Sequence, residues 1–331
     1  MLAVATFALR SAKGERMTDT DPQPEGETLK REYPDPSVLG GEVGLWISSS
    51  ALNPMPAPQA KEAAAEVEEL GYAALWFGEA QGREAFTNAS MFLCATSRLV
   101  VATGIANIFV RDAWATNAAA MTLAGAYQDR FVLGVGVSHR PMVEMRGHHY
   151  RSPLSTMRSY LKDMRQARFE AVAPEHDPPW IIAALGPRML ELSRDLADGA
   201  HPYLVTPQHT AGAREMLGEG PLLVVEQAVA PTSGREEGLR LARSHLSPYL
   251  RLPNYRNSWL RQGFGEEDLS GDGSDRLAEG LVAWGSENDI HERVSEHFSA
   301  GADQVLVQVL TDGPAESLRN RWRYLVPVLL G

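Results

Sequence analysis

The 331-residue sequence contains a single cysteine, Cys94, and only four lysines, the last of which is Lys162. One cysteine excludes a disulfide scaffold and a cysteine-based zinc cluster. Because Cys94 lies in an apolar stretch, we expect a buried, unreactive thiol. Since no lysine follows Lys162, the second half of the chain cannot form a lysine Schiff base and has to bind any phosphate with arginine or backbone amides.

The sequence also lacks a long apolar run and an excess of positive charge. The opening segment Met1–Leu9 is apolar but too short to span a bilayer. The formal net charge of −11 disfavours nucleic acid and anionic membranes as partners. We therefore predict a cytoplasmic protein that acts on a small molecule.

The first 40 residues have little hydrophobic periodicity and many charged, proline and glycine residues. This composition predicts a disordered N-terminal tail over residues 1–40, and Met17 is an alternative start to Met1. Residues 41–331 contain no polar linker that divides the pattern. We predict that they form one domain.

Eight short apolar runs, most of them followed by a helix-like stretch, predict a parallel sheet of eight strands. Such an alternation is typical of an α/β fold, a (β/α)8 TIM barrel, whose active site lies at the carboxyl ends of the strands. Longer connections after strands 4 and 7 are expected to be insertions, with an irregular loop around Asn254–Asp275 in the second. The predicted strands are Gly44–Ser48, Ala74–Glu79, Leu99–Ile105, Phe131–Val137, Trp180–Leu185, His201–Val205, Leu222–Val229 and Gln304–Leu310.

Candidate site residues follow the second and third strands. A carboxylate directly after a buried run, Glu79, is costly unless it is paired or used in a site. A structural ion pair with a nearby arginine is the alternative. After the third strand, Gly104 leaves room for a flat ring and Asn107 could hydrogen-bond to it, although a simple β-bulge glycine fits the same pattern.

The fourth strand ends in Gly134-Val-Gly-Val-Ser-His139, which superficially resembles a dinucleotide-binding loop. The third glycine is replaced by His139 and the helix is interrupted by Pro141, so we reject that interpretation. Ser138 and His139 are expected at the barrel mouth. His139 has an ordinary pKa suited to proton transfer near neutral pH, and a structural histidine is the alternative.

The fifth strand is followed by Gly186-Pro-Arg-Met-Leu190, the strongest local motif. Pro187 suits the first helical position, and the following amides together with Arg188 favour an anion site at the helix N-terminus. An ordinary Gly-Pro turn is the alternative. The nine histidines have no metal-ligand spacing, so no metal site is predicted.

Four segments together resemble the bacterial-luciferase-like superfamily, most closely its branch that uses the deazaflavin coenzyme F420. The resemblance implies a homodimeric oxidoreductase in which hydride passes between ring carbon C5 and an unidentified small organic substrate. Whether that substrate reacts at a CH–OH, C=C or C=N group stays open, as does the direction of transfer. The segments are Gly71-Tyr-Ala-Ala-Leu-Trp-Phe-Gly-Glu79, Val101-Ala-Thr-Gly-Ile-Ala-Asn107, Arg130-Phe-Val-Leu-Gly-Val-Gly-Val-Ser-His139 and Ala184-Leu-Gly-Pro-Arg-Met189.

The resemblance also implies roles for individual residues. A non-proline cis peptide would fall at Gly104–Ile105, and the Gly-Pro turn would contact the phosphate-bearing tail. The sugar-phosphate dehydrogenases of the F420 branch have a histidine where this chain has Ala80 and a glutamate where this chain has His139. We therefore reject a sugar phosphate as the substrate and assign proton handling to His139, with Glu79. The implied cofactor contacts are Glu79, Gly104, Ile105, Asn107, Val137, Ser138, Gly186, Pro187, Arg188, Met189 and Leu190.

Two other functions remain open on the same barrel. One is an FMN-dependent two-component monooxygenase, because FMN also presents a phosphate and a tricyclic ring. The other is a non-catalytic flavin-binding barrel, because Ala80 replaces a familiar proton donor.

Overall fold

The structure is a computed structural model that describes residues 32–331. Residues 1–31 of the predicted disordered tail lie outside the described residues. The segment just after them is folded: Pro36–Leu39 forms a 3-10 helix and Leu39 is fully buried. Since Tyr33–Gly331 forms one compact unit, the folded region begins before Gly41.

Ten strands lie within the described residues, and eight of them correspond in order to the predicted apolar runs. The strands are β1 (Val43–Ile47), β2 (Ala74–Phe77), β3 (Val100–Thr103), β4 (Ala106–Asn107), β5 (Phe131–Gly136), β6 (Trp180–Ala183), β7 (Gly199–His201), β8 (Leu222–Pro231), β9 (Val282–Gly285) and β10 (Gln304–Val309).

Helices separate consecutive strands of the barrel. They are α1 (Ser49–Leu52), α2 (Ala57–Glu69), α3 (Ala85–Ala95), α4 (Ala113–Ala126), α5 (Arg140–Glu144), α6 (Pro153–Gln166), α7 (Pro187–Leu196), α8 (Pro207–Leu217), α9 (Arg235–Leu246), α10 (Pro253–Arg261), α11 (Asp275–Leu281), α12 (Glu287–Ser299) and α13 (Ala315–Leu329), with a second 3-10 helix at Tyr249–Arg251.

Parallel pairing closes the sheet into the predicted eight-stranded barrel. The order runs β10, β1, β2, β3, β5, β6, β7, β8, and β8 pairs back with β10 from Val224↔Gln304 to Val229↔Val309. The short strand β4 extends the third strand and pairs with β5. Strand β9, which was not predicted, pairs with the end of β8 outside this ring.

The barrel interior is filled by the inward-facing side chains of the strands. On β8, Val224 and Ala228 join the interior cluster that contains Trp76, whereas Leu223 and Val225 pack outward in a separate cluster with α7 and α8. Trp76 donates its indole N–H to Gln304, whose amide donates to the carbonyl of Leu39. The 3-10 helix thus closes the amino-terminal end of the barrel, and the other end is left for the site.

Two predictions about particular segments are wrong. The expected loop at Asn254–Asp275 contains α10, because Tyr255 and Trp259 supply a buried helix face. Cys94 is exposed at the surface and lines an apolar groove between α3 and α4, since the buried face of α3 is formed by Phe92 and Leu93. None of the helices in residues 32–331 combines the length and hydropathy needed to cross a bilayer.

A glycine substitution tests the close contact between β3 and β5. A Cβ at Gly134 would lie 1.8 Å from the backbone oxygen of Thr103, which cannot move aside like a side chain. We expect Gly134→Ala to lower the free energy of unfolding by at least about 2 kcal/mol, measured by chemical denaturation.

The matched control is Gly212→Ala in α8, where an added Cβ meets nothing within 4 Å. Alanine should raise helix stability there by up to about 1 kcal/mol. Equal stabilities of the two variants would contradict the contact.

Candidate active site

Glu79 follows β2 and is held by an extensive set of contacts. Its carboxylate forms a two-pronged ion pair with Arg111, at 2.9 Å to Nη1 and 2.5 Å to Nη2. It also accepts the backbone N–H groups of Asn107 and Ala85, at 2.8 and 3.2 Å. The side chain is 3% exposed. The structure therefore places Glu79 in the ion pair that was its structural alternative, and this pair fixes the turn at Asn107.

The peptide bond between Gly104 and Ile105 is cis, as the resemblance implies. A Cβ on Gly104 would lie 2.6 Å from the indole Nε1 of Trp46, so the flat ring that lies against this glycine is Trp46 itself. Gly136 makes room in the same way for the side chain of Ile105. The space that we expected for a cofactor beside Gly104 is filled by the chain's own indole.

The residues after β5 reach the mouth of the barrel. Ser138 has a φ of +56°, and its carbonyl accepts a hydrogen bond from Tyr150 at 3.3 Å. Val137 packs against the large hydrophobic cluster outside the barrel. His139 is the N-cap residue of α5 and its side chain interacts with Asn254 of α10, while its Nδ1 is buried without a hydrogen-bond partner among the described residues.

Burial lowers the pKa of His139, and the interaction of its ring with the side chain of Asn254 only partly opposes this. The imidazole is therefore neutral at neutral pH. Its ring centroid lies 5.7 Å from that of Tyr255. His139 thus lies between the strand ends and α10, with one ring nitrogen free for another group.

The Gly-Pro turn after β6 begins α7, and no side chain caps this helix. The N–H groups of Met189 and Leu190 both donate to the carbonyl of Gly186, and Arg188 is exposed. Arg261 of α10 donates to the carbonyl of Leu185 at 3.1 Å.

Arg261 supplies a positive charge at this turn that the sequence did not reveal. Its Nη2 lies 3.3 Å from where a Cβ on Gly186 would be. Its charge contributes to lowering the pKa of His209 on α8, after burial, to about 4. The sequence pattern predicts a loop at Arg261, and a loop does not indicate which distant turn its side chain contacts.

The long connection between β8 and β10 covers the mouth with aromatic side chains. We call Trp46, Tyr203, His245, Tyr249 and Tyr255 the roof cluster. Ring centroids lie 5.0 Å apart for Trp46 and Tyr203, 5.6 Å for Tyr203 and Tyr249, and 4.8 Å for Tyr249 and Tyr255. The cluster joins the barrel strands to the connection, and Trp259 anchors it by donating to the carbonyl of Leu204 at 3.0 Å.

Glu226 on β8 is fully buried beneath the roof cluster, and sequence reasoning missed it. It lies on the same face of β8 as Val224 and Ala228, so it points into the barrel. One carboxylate oxygen accepts the N–H of Leu204 at 3.0 Å, and the other has no partner. A single carboxylate inside an apolar strand was the signal that could have found it.

Residues 37–304 match the sequence profile of a family described as luciferase-like monooxygenases. This match runs from before β1 to the first residue of β10 and includes the ends of β2, β5, β6 and β8. The chain belongs to the luciferase-like monooxygenase family. The predicted superfamily is therefore confirmed, and membership supports oxidoreductase chemistry for this luciferase-like protein.

A relative from Mycobacterium tuberculosis carries the name coenzyme F420-dependent oxidoreductase. It is 26% identical in an alignment of length 213, and the alignment covers 55% of this chain and 60% of the relative. The match thus spans less than two thirds of that relative's length.

Solved structures with the same fold include enzymes with different cofactors. An F420-dependent secondary alcohol dehydrogenase bound to an F420–acetone adduct has a TM-score of 0.69 and 13% identity, over 88% of this luciferase-like protein and 99% of that enzyme. A type II Baeyer–Villiger monooxygenase from Pseudomonas putida with FMN has a TM-score of 0.66 and 13% identity, over 88% and 97%. At this identity the likeness establishes the barrel fold.

Replacing Glu79 tests whether its main task is structural. In Glu79→Gln the buried guanidinium of Arg111 loses a charged partner, so the free energy of unfolding should fall by roughly 3 kcal/mol in chemical denaturation. The control is Glu144→Gln, whose ion pair with Arg140 is exposed, at 48% and 64% of the two side chains. That change should cost less than about 0.5 kcal/mol. Unchanged stability in Glu79→Gln would contradict the structural role.

Proposed function

We propose that this luciferase-like protein is an oxidoreductase that uses coenzyme F420 and transfers hydride to or from a small organic substrate. One observation carries the proposal. At the same end of the barrel, a helix begins beside arginine side chains, and buried polar atoms lack hydrogen-bond partners. The choice of F420 over FMN is supported by the name of the mycobacterial relative. When bound, the deazaflavin would supply hydride chemistry at its ring carbon C5.

The start of α7 suits the anionic tail of such a cofactor. The helix has no side-chain cap, and Met189 and Leu190 donate their N–H groups to Gly186, so the N–H of Arg188 is the backbone donor available to a phosphate oxygen. Arg261 adds a guanidinium that already lies over Gly186, and Arg188 extends from the first turn. We assign the phosphate to Gly186, Pro187, Arg188, Met189 and Leu190 together with Arg261.

The mouth suits a ring with polar edges. Buried nitrogens of Trp46 and His139 have no hydrogen-bond partner among the described residues. Buried polar atoms in native proteins are generally satisfied, so these two point to a ligand or water. We propose that Ser138 and Asn107 line the space for the ring and that Trp46 lies beside it, next to Gly104. Val137 supports this edge from the outer side of the strand. In this proposal Glu79 does not contact the ring, and it positions Asn107 by accepting the backbone N–H of that residue.

His139 handles the proton in this proposal. When a substrate hydroxyl loses hydride from its carbon, the oxygen has to lose a proton, and a neutral imidazole with a free nitrogen can accept it. In the reverse direction the same nitrogen returns the proton. The lowered pKa keeps His139 in the accepting form at neutral pH.

A titration of cofactor fluorescence tests the choice of cofactor. We expect saturable quenching of F420 fluorescence, with FMN binding at least about tenfold more weakly. Arg261→Gln should weaken F420 binding by about tenfold or more, because a charge-assisted contact to phosphate is lost. Arg251→Gln, an exposed residue of the same connection, should leave binding unchanged.

Tight FMN binding without affinity for F420 would contradict the proposal. Oxygen consumption with reduced FMN would then favour the two-component monooxygenase. The shared anionic tail explains why the site alone does not separate these cofactors.

His139→Gln separates proton handling from binding. We expect F420 affinity within about threefold of the unchanged protein and a turnover lower by about 100-fold or more, measured on a panel of alcohols and unsaturated compounds. The unchanged protein should keep its rate in the alcohol-oxidising direction below pH 6.5, because the pKa of His139 is lowered from that value. If no compound is turned over while F420 binds tightly, the non-catalytic flavin-binding barrel is the better description.

A homodimer and a cytoplasmic location stay predictions, and light scattering in solution would determine the subunit number.

A further inference from the structure

We infer that Glu226 and the roof cluster form the substrate subsite, and that this subsite takes an uncharged, flat organic molecule with a hydroxyl or carbonyl group. The inference rests on the proposed function, because it names the substrate class of the same barrel mouth.

Unpartnered buried polar atoms mark this subsite. They belong to Glu226, His201, His245 and Trp46, which supply a carboxyl oxygen, two imidazole Nε2 atoms and an indole N–H. Glu226 is fully buried, and His201 and Trp46 are 2% and 9% exposed. Each such atom costs free energy unless it finds a partner. The atoms of Glu226, His245 and Trp46 lie at the roof cluster and point to a bound molecule with polar groups of its own. The ring of His201 lies inside the barrel, with its centroid 5.1 Å from that of Trp76.

The protonation states define what these atoms offer. The Nδ1 of His201 lies 2.8 Å from the carbonyl of Val224, so Nδ1 carries the proton and Nε2 is an acceptor. Burial lowers the pKa of both His201 and His245 to about 4. Burial also raises the pKa of Glu226 to about 8, so this carboxyl group is protonated at neutral pH and donates a hydrogen bond.

Among residues 32–331, no arginine or lysine forms a hydrogen bond or ion pair with Glu226, His201 or His245. Burial shifts the pKa values of all three groups, and a backbone hydrogen bond opposes the shift for Glu226 and for His201. Tyr203 and Tyr255, which face Glu226, have pKa values raised by burial and are neutral as well. A carboxylate or phosphate on the substrate would therefore be desolvated without a partner, whereas a neutral molecule would not.

The walls of the subsite favour a flat molecule. The planes of Trp46 and Tyr203 are tilted by 51°, and those of Tyr249 and Tyr255 by 70°. Tyr203 is fixed because its hydroxyl donates to Gln308 at 2.8 Å. Aromatic faces held in this way select flat or aromatic partners by offset and edge-on packing.

A pair of matched probes tests the charge preference on the cofactor-free protein. Saturation-transfer NMR compares benzyl alcohol with benzoate, which share a ring and differ in charge. We expect benzyl alcohol to bind at least about tenfold more tightly than benzoate. Equal or tighter binding of benzoate, or no binding of benzyl alcohol, would overturn the inference.

Variants locate the site of binding. Glu226→Leu should weaken the binding of benzyl alcohol by about three- to tenfold, because one neutral hydrogen bond is lost. Glu226→Gln should retain most of the affinity. Surface Glu144→Gln is the control. Unchanged affinity in Glu226→Leu would place the probe elsewhere and overturn the inference.

A stability measurement checks that these variants fold and that Glu226 is neutral. The pKa of Glu226 in the folded protein, about 8, exceeds the ordinary value of 4.5. The contribution of the neutral carboxyl to the free energy of unfolding is therefore full at low pH and is lost as pH rises toward 8. Relative to Glu226→Gln, the free energy of unfolding of the unchanged protein should fall from pH 5 to pH 8. If the difference in free energy of unfolding between the two proteins does not depend on pH, the carboxyl group that faces Tyr203, Tyr249 and Tyr255 is not buried in its neutral form.

The two proposals fail separately. If the protein prefers benzoate and quenches F420 fluorescence, the proposed substrate class is wrong and the proposed cofactor stands. Preference for benzyl alcohol without F420 binding would remove the proposed function, and the subsite would remain as a binding site.

Discussion

The pairing of β10 with both β8 and β1 is the constraint on which the rest of the structure depends. Because the strands are parallel and the sheet is closed, every strand end meets its neighbours at one mouth. Glu79, His139 and Gly186 are distant in sequence and share that mouth for this reason. At the opposite end, the hydrogen bonds of Gln304 to Trp76 and to the carbonyl of Leu39 tie the closing strand to the first folded residues.

Closure of the sheet alone would leave the barrel mouth uncovered. The long connection between β8 and β10 covers the mouth and completes the site. It carries Arg261 to the start of α7 and Tyr249 and Tyr255 to the barrel mouth. One insertion thus contributes both the charge for an anionic tail and the aromatic cover for a neutral ring. Specificity within a widely shared fold commonly arises from such connections, because they are free to vary while the barrel is not.

The strands could be predicted because continuous apolar runs have few other uses, and the Gly-Pro turn because proline fits a helix start. Gly104 illustrates the limit of prediction from sequence. Its sequence context indicates that another group lies close to the backbone, but not that this group is the indole of Trp46. Arg261 and the partner of Glu79, Arg111, depend on tertiary contacts between distant segments. Glu226 has a signal in the sequence, because it is an acidic residue within an apolar strand, but it lies in the middle of β8 and not at the strand end.

The most direct test of the account is a crystal structure of the protein soaked with F420. The account predicts a phosphate oxygen within hydrogen-bond distance of Arg261 and the first turn of α7, and the tricyclic ring between the ends of the strands and the roof cluster. A cofactor bound outside the barrel mouth, or a phosphate held away from the Gly-Pro turn, would contradict it.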